Sequence, residues 1–292
     1  MFIWGVNFAF VKYVLEALGV GAFIFIRFAS MPVIALLMLL LVFRHRIGRT
    51  LPKREDWGRF VACGLIGHTL HIALVSWGMN LSTPFSSAVV LTSQPLFTLL
   101  ILMVLGTERL RPAQVAGTLL AFAGIVLFLS DKFTRGVADA GVGDLVLLMA
   151  AALFSLYTVL VRPLVERYGP LIVMAYTLAV GAPPMVLFTI PSILALDPAR
   201  LTPMVWLGLF WAIVLASGVG WIVWTWINVV RGIARSAPLL YLPPPIAGVV
   251  AWFTLGEQFT VLKIAGAAVA MAGVAWAQFA GGRPPPAQPD TP

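Results

Sequence analysis

Charged side chains are scarce in this sequence. Asp, Glu, Lys and Arg make up 10% of its 292 residues, whereas hydrophobic residues make up 61%. Average soluble domains are roughly 25% charged and roughly 45–50% apolar. A soluble core cannot bury so much apolar surface, so lipid must surround much of the chain.

Cysteine and acidic residues are also few. The single cysteine, Cys63, excludes a disulfide framework and a thiolate metal site. The basic excess, 19 Lys+Arg against 11 Asp+Glu, does not indicate nucleic-acid binding, because the charges fall in short gaps between apolar runs. No P-loop, G-x-S-x-G or H-E-x-x-H motif is present, and no charge ring indicates a channel. We expect no catalytic residue, metal or cofactor, and a membrane-embedded enzyme is the weaker alternative.

The sequence does contain a series of long apolar runs. A helix needs roughly 20 apolar residues to cross the hydrocarbon core. The runs are continuous rather than alternating, so they predict helices and not barrel strands. We predict an all-α membrane protein whose ten spans are residues 2–18, 20–43, 57–81, 83–106, 112–130, 143–163, 169–191, 203–228, 233–255 and 260–280.

Lys and Arg predict the orientation of these spans. With the N-terminus inside, the inner connections carry 13 of the 19 basic residues and the outer connections carry four. Basic residues concentrate on the cytoplasmic side of membrane proteins. We therefore expect both termini in the cytoplasm.

The two halves of the chain resemble each other at a fixed offset of 149 residues. The matched pairs are Trp77 and Trp226, Ser87-Ala88 and Ser236-Ala237, Pro95 and Pro244, Glu108 and Glu257, Gly117 and Gly266, and Gly124 and Gly273. Each half holds five predicted spans, and an odd number inverts the second copy in the membrane. We predict a first repeat at 1–130, a connecting loop at 131–142, a second repeat at 143–281 and a disordered proline-rich tail at 282–292.

These features together resemble a known family. Trp4-Gly5, Arg27, Gly106-Thr107-Glu108 and Gly256-Glu257 lie at the places typical of the EamA-like branch of the drug/metabolite transporter superfamily, most closely its YddG-type amino-acid exporters. The resemblance implies a basket of helices around a central cavity and export of aromatic and other neutral amino acids across the bacterial inner membrane by alternating access. A carrier of another small metabolite or drug is the alternative. We expect a monomer.

Prolines predict where spans four and nine bend. Pro95 lies in the middle of span four, and Pro243-Pro244-Pro245 lies in the middle of span nine. Proline removes a backbone donor, and the freed carbonyl must meet protein or cavity water. Pro95 and Pro244 are therefore candidate hinges of gating helices, although simple packing kinks are the alternative. The residues beside the breaks that we expect to contact substrate are Ser93, Gln94, Leu240 and Tyr241.

Further cavity candidates lie inside other spans. His68 and His71 lie near the middle of span three, and their i,i+3 spacing places them on one face. Either they line the cavity, or they are neutral imidazoles bonded between helices. Tyr157 and Trp224 offer rings for stacking, and Asn7 of span one completes the predicted cavity.

The remaining candidates are charges with a structural interpretation. Lys12 and Glu16 are i,i+4 on span one, and we expect them to pair near Arg27 and tie spans one and two together. Capture of a substrate carboxylate by Arg27 is the alternative. Glu108 and Glu257 follow spans four and nine, where each is expected to accept from the first N–H groups of the following helix.

Overall fold

The structure, a computed structural model, describes residues 1–44, 50–106, 111–134, 138–220 and 242–280, together with residues 223 and 239. Over these ranges helices are joined by turns, and none of the described residues forms a strand. The predicted residues Glu108, Trp224, Leu240 and Tyr241 and the predicted tail at 282–292 lie outside the described residues.

The helices of the first half are α1 (Phe2–Leu18), α2 (Val20–Phe43), α3 (Trp57–Cys63), a π-helical segment π1 (Gly64–Leu70), α4 (His71–Leu81), α5 (Pro84–Leu91), α6 (Gln94–Val104) and α7 (Pro112–Thr134). Those of the second half are α8 (Ala138–Tyr168), α9 (Pro170–Leu194), α10 (Pro203–Phe210), a second π-helical segment π2 (Trp211–Val219), α11 (Pro243–Leu255) and α12 (Val261–Phe279). Short 3₁₀ turns at Arg54–Asp56 and Pro198–Arg200 precede α3 and α10.

Where the structure describes them, several helices follow the predicted apolar runs, but the predicted connecting loop needs a correction. The predicted spans 2–18 and 20–43 coincide with α1 and α2. The predicted loop at 131–142 is wrong for most of its length, because α7 continues to Thr134 and α8 begins at Ala138. Hydropathy locates where the apolar surface stops, but a helix continues into polar sequence while its backbone hydrogen bonds persist.

Five helical stretches of the described residues are long and apolar enough to cross a membrane. They are Val20–Phe43, Arg54–Leu81, Pro112–Ser130, Gly141–Tyr168 and Pro170–Leu194. Shorter apolar helices cover Pro203–Val219, Pro243–Leu255 and Val261–Ala277. Many large apolar side chains on these helices are exposed, as lipid-facing residues require.

Two long helices change locally to π geometry. The helix from Trp57 to Leu81 does so at π1, and the helix that begins at Pro203 does so at π2. Shifted by the 149-residue offset, π1 falls on residues 213–219, which lie inside π2. π-Helical turns are rare and often occur at functional sites.

Span four is broken, as its proline predicted. α5 ends at Leu91, Thr92 and Ser93 form a turn, and α6 begins at Gln94. α11 begins at Pro243, which is 149 residues after Gln94. Pro95 and Pro244 therefore each occupy the first turn of a helix, where a missing N–H costs little.

Two antiparallel helix pairs join the halves of the chain. The start of α2 meets the end of α9 where Gly21 approaches Ser192, and the other end of α2 packs Ala35 against Ala175. α7 and α12 are closer still, because glycines of each helix touch the backbone of the other. The contacts are Gly117 with Ala277, Gly124 with Ala270, Gly266 with Phe128 and Gly273 with Ala121.

The contacts between α7 and α12 are reciprocal under the offset. Gly117 and Gly266 are equivalents, and so are their partners Ala277 and Phe128. In this exchange i meets j, and the equivalent of j meets the equivalent of i, which is the pattern that a two-fold axis between two helices would produce. Glycine permits the close backbone approach that this pairing needs.

Candidate functional site

A cluster of imidazole and aromatic side chains lies where π1 and α4 face α8. The ring of His68 meets Tyr157 edge to face at a centroid distance of 5.6 Å, and the ring of His71 lies 5.0 Å from Phe154. Phe154 and Tyr157 in turn contact each other on α8. Both histidines therefore contact α8, in line with their predicted common face.

The two histidines nevertheless make hydrogen bonds to different helices. His68 Nε2 lies 3.0 Å from Thr177 Oγ1 on α9, and the Thr177 hydroxyl donates to the Val173 carbonyl at 2.7 Å. Because that proton is committed, Thr177 accepts from His68. His71 Nδ1 lies 2.9 Å from the Ala150 carbonyl on α8, which can only accept. Each imidazole thus uses one nitrogen as a donor, and its other nitrogen is an acceptor when the ring is neutral.

Glycines position π1 against its neighbours. A methyl group at Gly64 would come within 2.7 Å of the Thr177 carbonyl oxygen on α9, and one at Gly67 would overlap the Tyr157 ring on α8. Thr69 also donates to the Gly181 carbonyl of α9 at 2.7 Å. These close contacts hold π1 between α8 and α9.

Arg27 reaches from α2 to the other π segment. Its Nη2 donates to Ser217 Oγ in π2 at 3.3 Å, and its Nε donates to Met31 Sδ at 3.5 Å. The predicted link between Arg27 and the Lys12–Glu16 pair is wrong, because Lys12 instead donates to the Asn80 carbonyl at 2.5 Å. Lys12 and Glu16 do approach each other, at 3.6 Å, but the hydrogen bond of Lys12 joins α1 to α4 and not to α2.

The break in span four contacts α8. Ser155 donates to the Gln94 carbonyl at 2.6 Å. Ser93 is fully buried and its hydroxyl donates to the Val90 carbonyl at 2.6 Å, and its contact with substrate stays a prediction. The Gln94 side chain is half-buried, and its amide has no hydrogen-bond partner among the described residues.

The N-terminal half of α1 packs against π2 and α11. The indole of Trp4 donates to the Ala216 carbonyl at 2.9 Å, and that of Trp211 donates to the Ile3 carbonyl at 3.0 Å. Asn7 lies one turn further along α1, and its buried Oδ1 has no partner among the described residues. Pro244 is buried in the first turn of α11, the helix that packs along α1.

A second polar cluster surrounds a cavity of about 280 Å³ at the end of the molecule where α4 and α11 end and α5 begins. The cavity lining contains both basic and acidic side chains. Its residues are Lys12, Glu16, Leu81, Ser82, Thr83, Pro84, Leu255 and Glu257.

Glu257 joins the two halves of the chain at this end. One carboxylate oxygen accepts from the Phe85 N–H at the start of α5, at 3.3 Å, and the other lies 2.6 Å from Lys263 Nζ. Glu257 therefore caps α5 and not the following helix, which corrects the prediction. The start of α12 is capped instead by Thr260, whose hydroxyl accepts from the Lys263 N–H at 3.0 Å.

Sequence reasoning missed Asp144, Lys263 and Ser217. Asp144 is fully buried near the start of α8 and accepts a hydrogen bond from Ser82. An ionisable residue within an apolar run is a recognisable signal, because burying it is costly unless it has partners. Ser217 gave no such signal, since serine is common in membrane helices. Its role follows from its hydrogen bond with Arg27, which is distant in sequence.

A family model described as the EamA-like transporter family matches residues 1–130 and 141–278. One relative is a probable terminal-alkyne amino-acid exporter of Streptantibioticus cattleyicolor, 29% identical over 78% of this chain and 75% of that protein. Another is the aromatic amino acid exporter YddG of Ancylobacter novellus, 32% identical over 66% of each chain.

Similarity also extends over nearly the whole chain. An uncharacterized transporter of Archaeoglobus fulgidus is 26% identical over 94% of this chain and 93% of that protein. A protein of known crystal structure superposes with a TM-score of 0.57 over 94% of this chain and 95% of its own, at 22% identity, which shows a common fold.

Proposed function

Because the chain belongs to the EamA-like transporter family, we propose that it exports aromatic and other neutral amino acids across the bacterial inner membrane. Its multi-pass helical character and its family place it among membrane transporters and not among enzymes. The observation that carries the choice of substrate is that two relatives are named as amino-acid exporters. The proposed unit is a monomer in the lipid bilayer.

The polar groups of the described residues suit a zwitterionic substrate. Asn7 Oδ1 is a buried acceptor with no partner among the described residues, and an ammonium group needs such acceptors. Gln94 offers a half-buried amide at the helix break. Phe154 and Tyr157 provide rings against which an aromatic side chain can stack.

The proposed mechanism is alternating access by ten helices in two inverted repeats around a central cavity. The family model matches the chain twice, once in each half. Helix starts at Gln94 and Pro243, and the exchanged contacts between α7 and α12, are related by the same offset. In this proposal the broken spans four and nine gate opposite sides of the membrane.

Counterflow in proteoliposomes tests the proposed function. Vesicles preloaded with unlabelled phenylalanine should take up labelled phenylalanine, tyrosine and tryptophan, and neutral aliphatic amino acids should compete. Protein-free vesicles provide the control. If the reconstituted protein exchanges none of these amino acids, the amino-acid proposal fails, and a carrier of another small metabolite or drug takes its place.

A further inference from the structure

Arg27 lies inside an apolar helix and has no counter-charge among the residues that the structure describes. The guanidinium has five N–H donors, and its hydrogen-bond partners among the described residues are Ser217 Oγ and Met31 Sδ. The Phe23 ring also lies near it, with its centroid 5.9 Å from Arg27 Cζ. No carboxylate among those residues forms an ion pair with it. A cation within a membrane segment normally pairs or lines a polar cavity, because facing lipid costs several kcal/mol.

Among the helices that pack against α2, α1 carries one carboxylate, Glu16, which lies 3.6 Å from Lys12 and is 56% exposed. Neither Asp nor Glu occurs in α2, in α9, in residues 57–81 or in residues 198–256. The last of these ranges contains both π2 and α11, so neither of these two elements carries a carboxylate side chain. No described carboxylate is therefore paired with Arg27, and a ligand can supply its counter-charge.

The side chain of Arg27 points into the protein and not toward lipid. Its partner Ser217 is buried at 5% exposure. The Ser217 hydroxyl donates to the Ala212 carbonyl at 2.8 Å, five residues earlier in π2, so its oxygen is left to accept from Arg27. The π geometry thus presents one acceptor to Arg27, which leaves other N–H groups for a ligand.

The internal repeat provides a comparison with a neutral version of this link. Ser217 is the equivalent of His68, and Arg27 is the equivalent of Tyr176, the neighbour of Thr177. At this equivalent place, π1 and α9 are joined by a hydrogen bond between the uncharged side chains of His68 and Thr177, at 3.0 Å. Because a neutral hydrogen bond joins the equivalent helices, the positive charge at Arg27 is not needed for packing.

We propose that Arg27 binds the carboxylate of the transported amino acid, with Ser217 orienting the guanidinium. This inference rests on the proposed function, and it names the group of the substrate that the protein recognises. Arg and carboxylate match as planar partners that can share two hydrogen bonds. An amine or amide that lacks the carboxylate would lose this interaction.

Binding of phenylalanine and of phenylalaninamide, which lacks the carboxylate, tests the proposal on the purified full-length protein. Wild type should bind phenylalanine more tightly. Arg27→Gln should weaken phenylalanine binding on the order of 10- to 100-fold, because a charged hydrogen bond is lost, and should leave phenylalaninamide binding unchanged. Tyr176→Phe, at the equivalent place in the other repeat, is the matched control and should preserve the preference.

Each result of this binding experiment either supports or overturns the role of Arg27. Arg27→Gln that keeps the wild-type preference, or that weakens both ligands equally, overturns the role of Arg27 while the transporter function stands. Wild type that binds and exchanges no amino acid overturns the proposed function itself. If Arg27→Gln does not fold, Arg27→Lys is decisive, because loss of the paired donor geometry should still lower the preference several-fold. An unchanged preference in Arg27→Lys would then refute the inference.

Discussion

Glu257 and Lys263 form an ion pair whose side chains are each only 6% exposed. Lys263 also lies over the rings of Phe85 and Phe259, at 5.6 Å and 5.5 Å from their centroids. Removing two charges from water is costly, so such a pair contributes to stability only when its partners remain together. The pair and its two rings therefore hold the corner between α11 and α12 against the start of α5.

Replacement of Lys263 alone should destabilise the protein strongly. Lys263→Met leaves the Glu257 carboxylate buried without its cation, which typically costs about 3–5 kcal/mol. For a protein of this size we expect a melting temperature roughly 5–15 °C lower in detergent. Adding Glu257→Gln to Lys263→Met should recover part of the loss, since the orphaned charge is removed.

The exposed pair of Arg162 and Glu166 supplies the control for this prediction. Its nitrogen and oxygen lie 2.9 Å apart, but the side chains are 73% and 63% exposed. Exposed pairs contribute little because water screens them. Arg162→Met should leave the melting temperature almost unchanged, and equal losses at both sites would contradict the role assigned to burial.

At the scale of elements, the break between α5 and α6 follows from the chemistry of a single proline, Pro95. Pro95 has no N–H, and its ring disfavours continuation of α5 through Thr92 and Ser93. Their hydroxyls turn back to the carbonyls of Val89 and Val90, which satisfies the end of α5. The turn at the break is therefore locally stable. Span four can nevertheless bend there, because its helical hydrogen bonds are interrupted.

Pro95→Ala should stiffen span four, and Pro244→Ala should have a smaller effect on α11, because Pro243 and Pro245 remain in place. Alanine restores the backbone donor, so α5 and α6 can join, and folding should survive or improve. Transport should slow several-fold if bending of these helices accompanies exchange between the open states. Transport rate and melting temperature are measured together for each variant.

Pro203→Ala is the control for both proline variants. Pro203 also begins a helix, but it follows a loop, whereas Pro95 follows α5. It should therefore change neither the rate nor the melting temperature appreciably. Full-speed transport by both Pro95→Ala and Pro244→Ala would show that the breaks are packing features and that the gates lie elsewhere.

The sequence predicted the helices better than their internal geometry. Continuous apolar runs and Pro95 were enough for the bounds of α1 and α2 and for the break after Leu91. The π segments were not predictable, since no local pattern distinguishes them from α-helix. Gly64 and Gly67 lie in π1, where they contact α9 and α8 closely. These contacts are between residues that are distant in sequence, so a local pattern cannot predict them.

The sequence also predicted only part of the candidate site. The depth of His68 and His71 followed from counting residues along span three, whereas their partners Thr177 and Ala150 are distant in sequence. Local reasoning placed Glu257 at the next helix, yet its carboxylate caps α5 in the other half of the chain. Contacts between the two halves of the chain are long-range and leave no short motif.

At the scale of the whole molecule, the antiparallel pairing of α2 and α9 constrains the topology. Gly21 near the start of α2 meets Ser192 near the end of α9. The chain segments that follow these two helices therefore leave the pair at opposite ends. Since α2 and α9 are both long and apolar enough to cross the membrane, those two segments should lie on opposite sides of it.

Accessibility of two engineered cysteines tests this topology. Lys53 follows α2 and Ala199 follows α9, and both side chains are exposed. The buried Cys63 is first replaced by alanine so that the engineered thiol is the only one. With basic residues concentrated inside, Ala199→Cys should react with a membrane-impermeant thiol reagent in intact cells, and Lys53→Cys should react only after the membrane is opened. Labelling of both positions from the same side would refute the inverted repeat, because equivalent connections of two inverted copies must face opposite compartments.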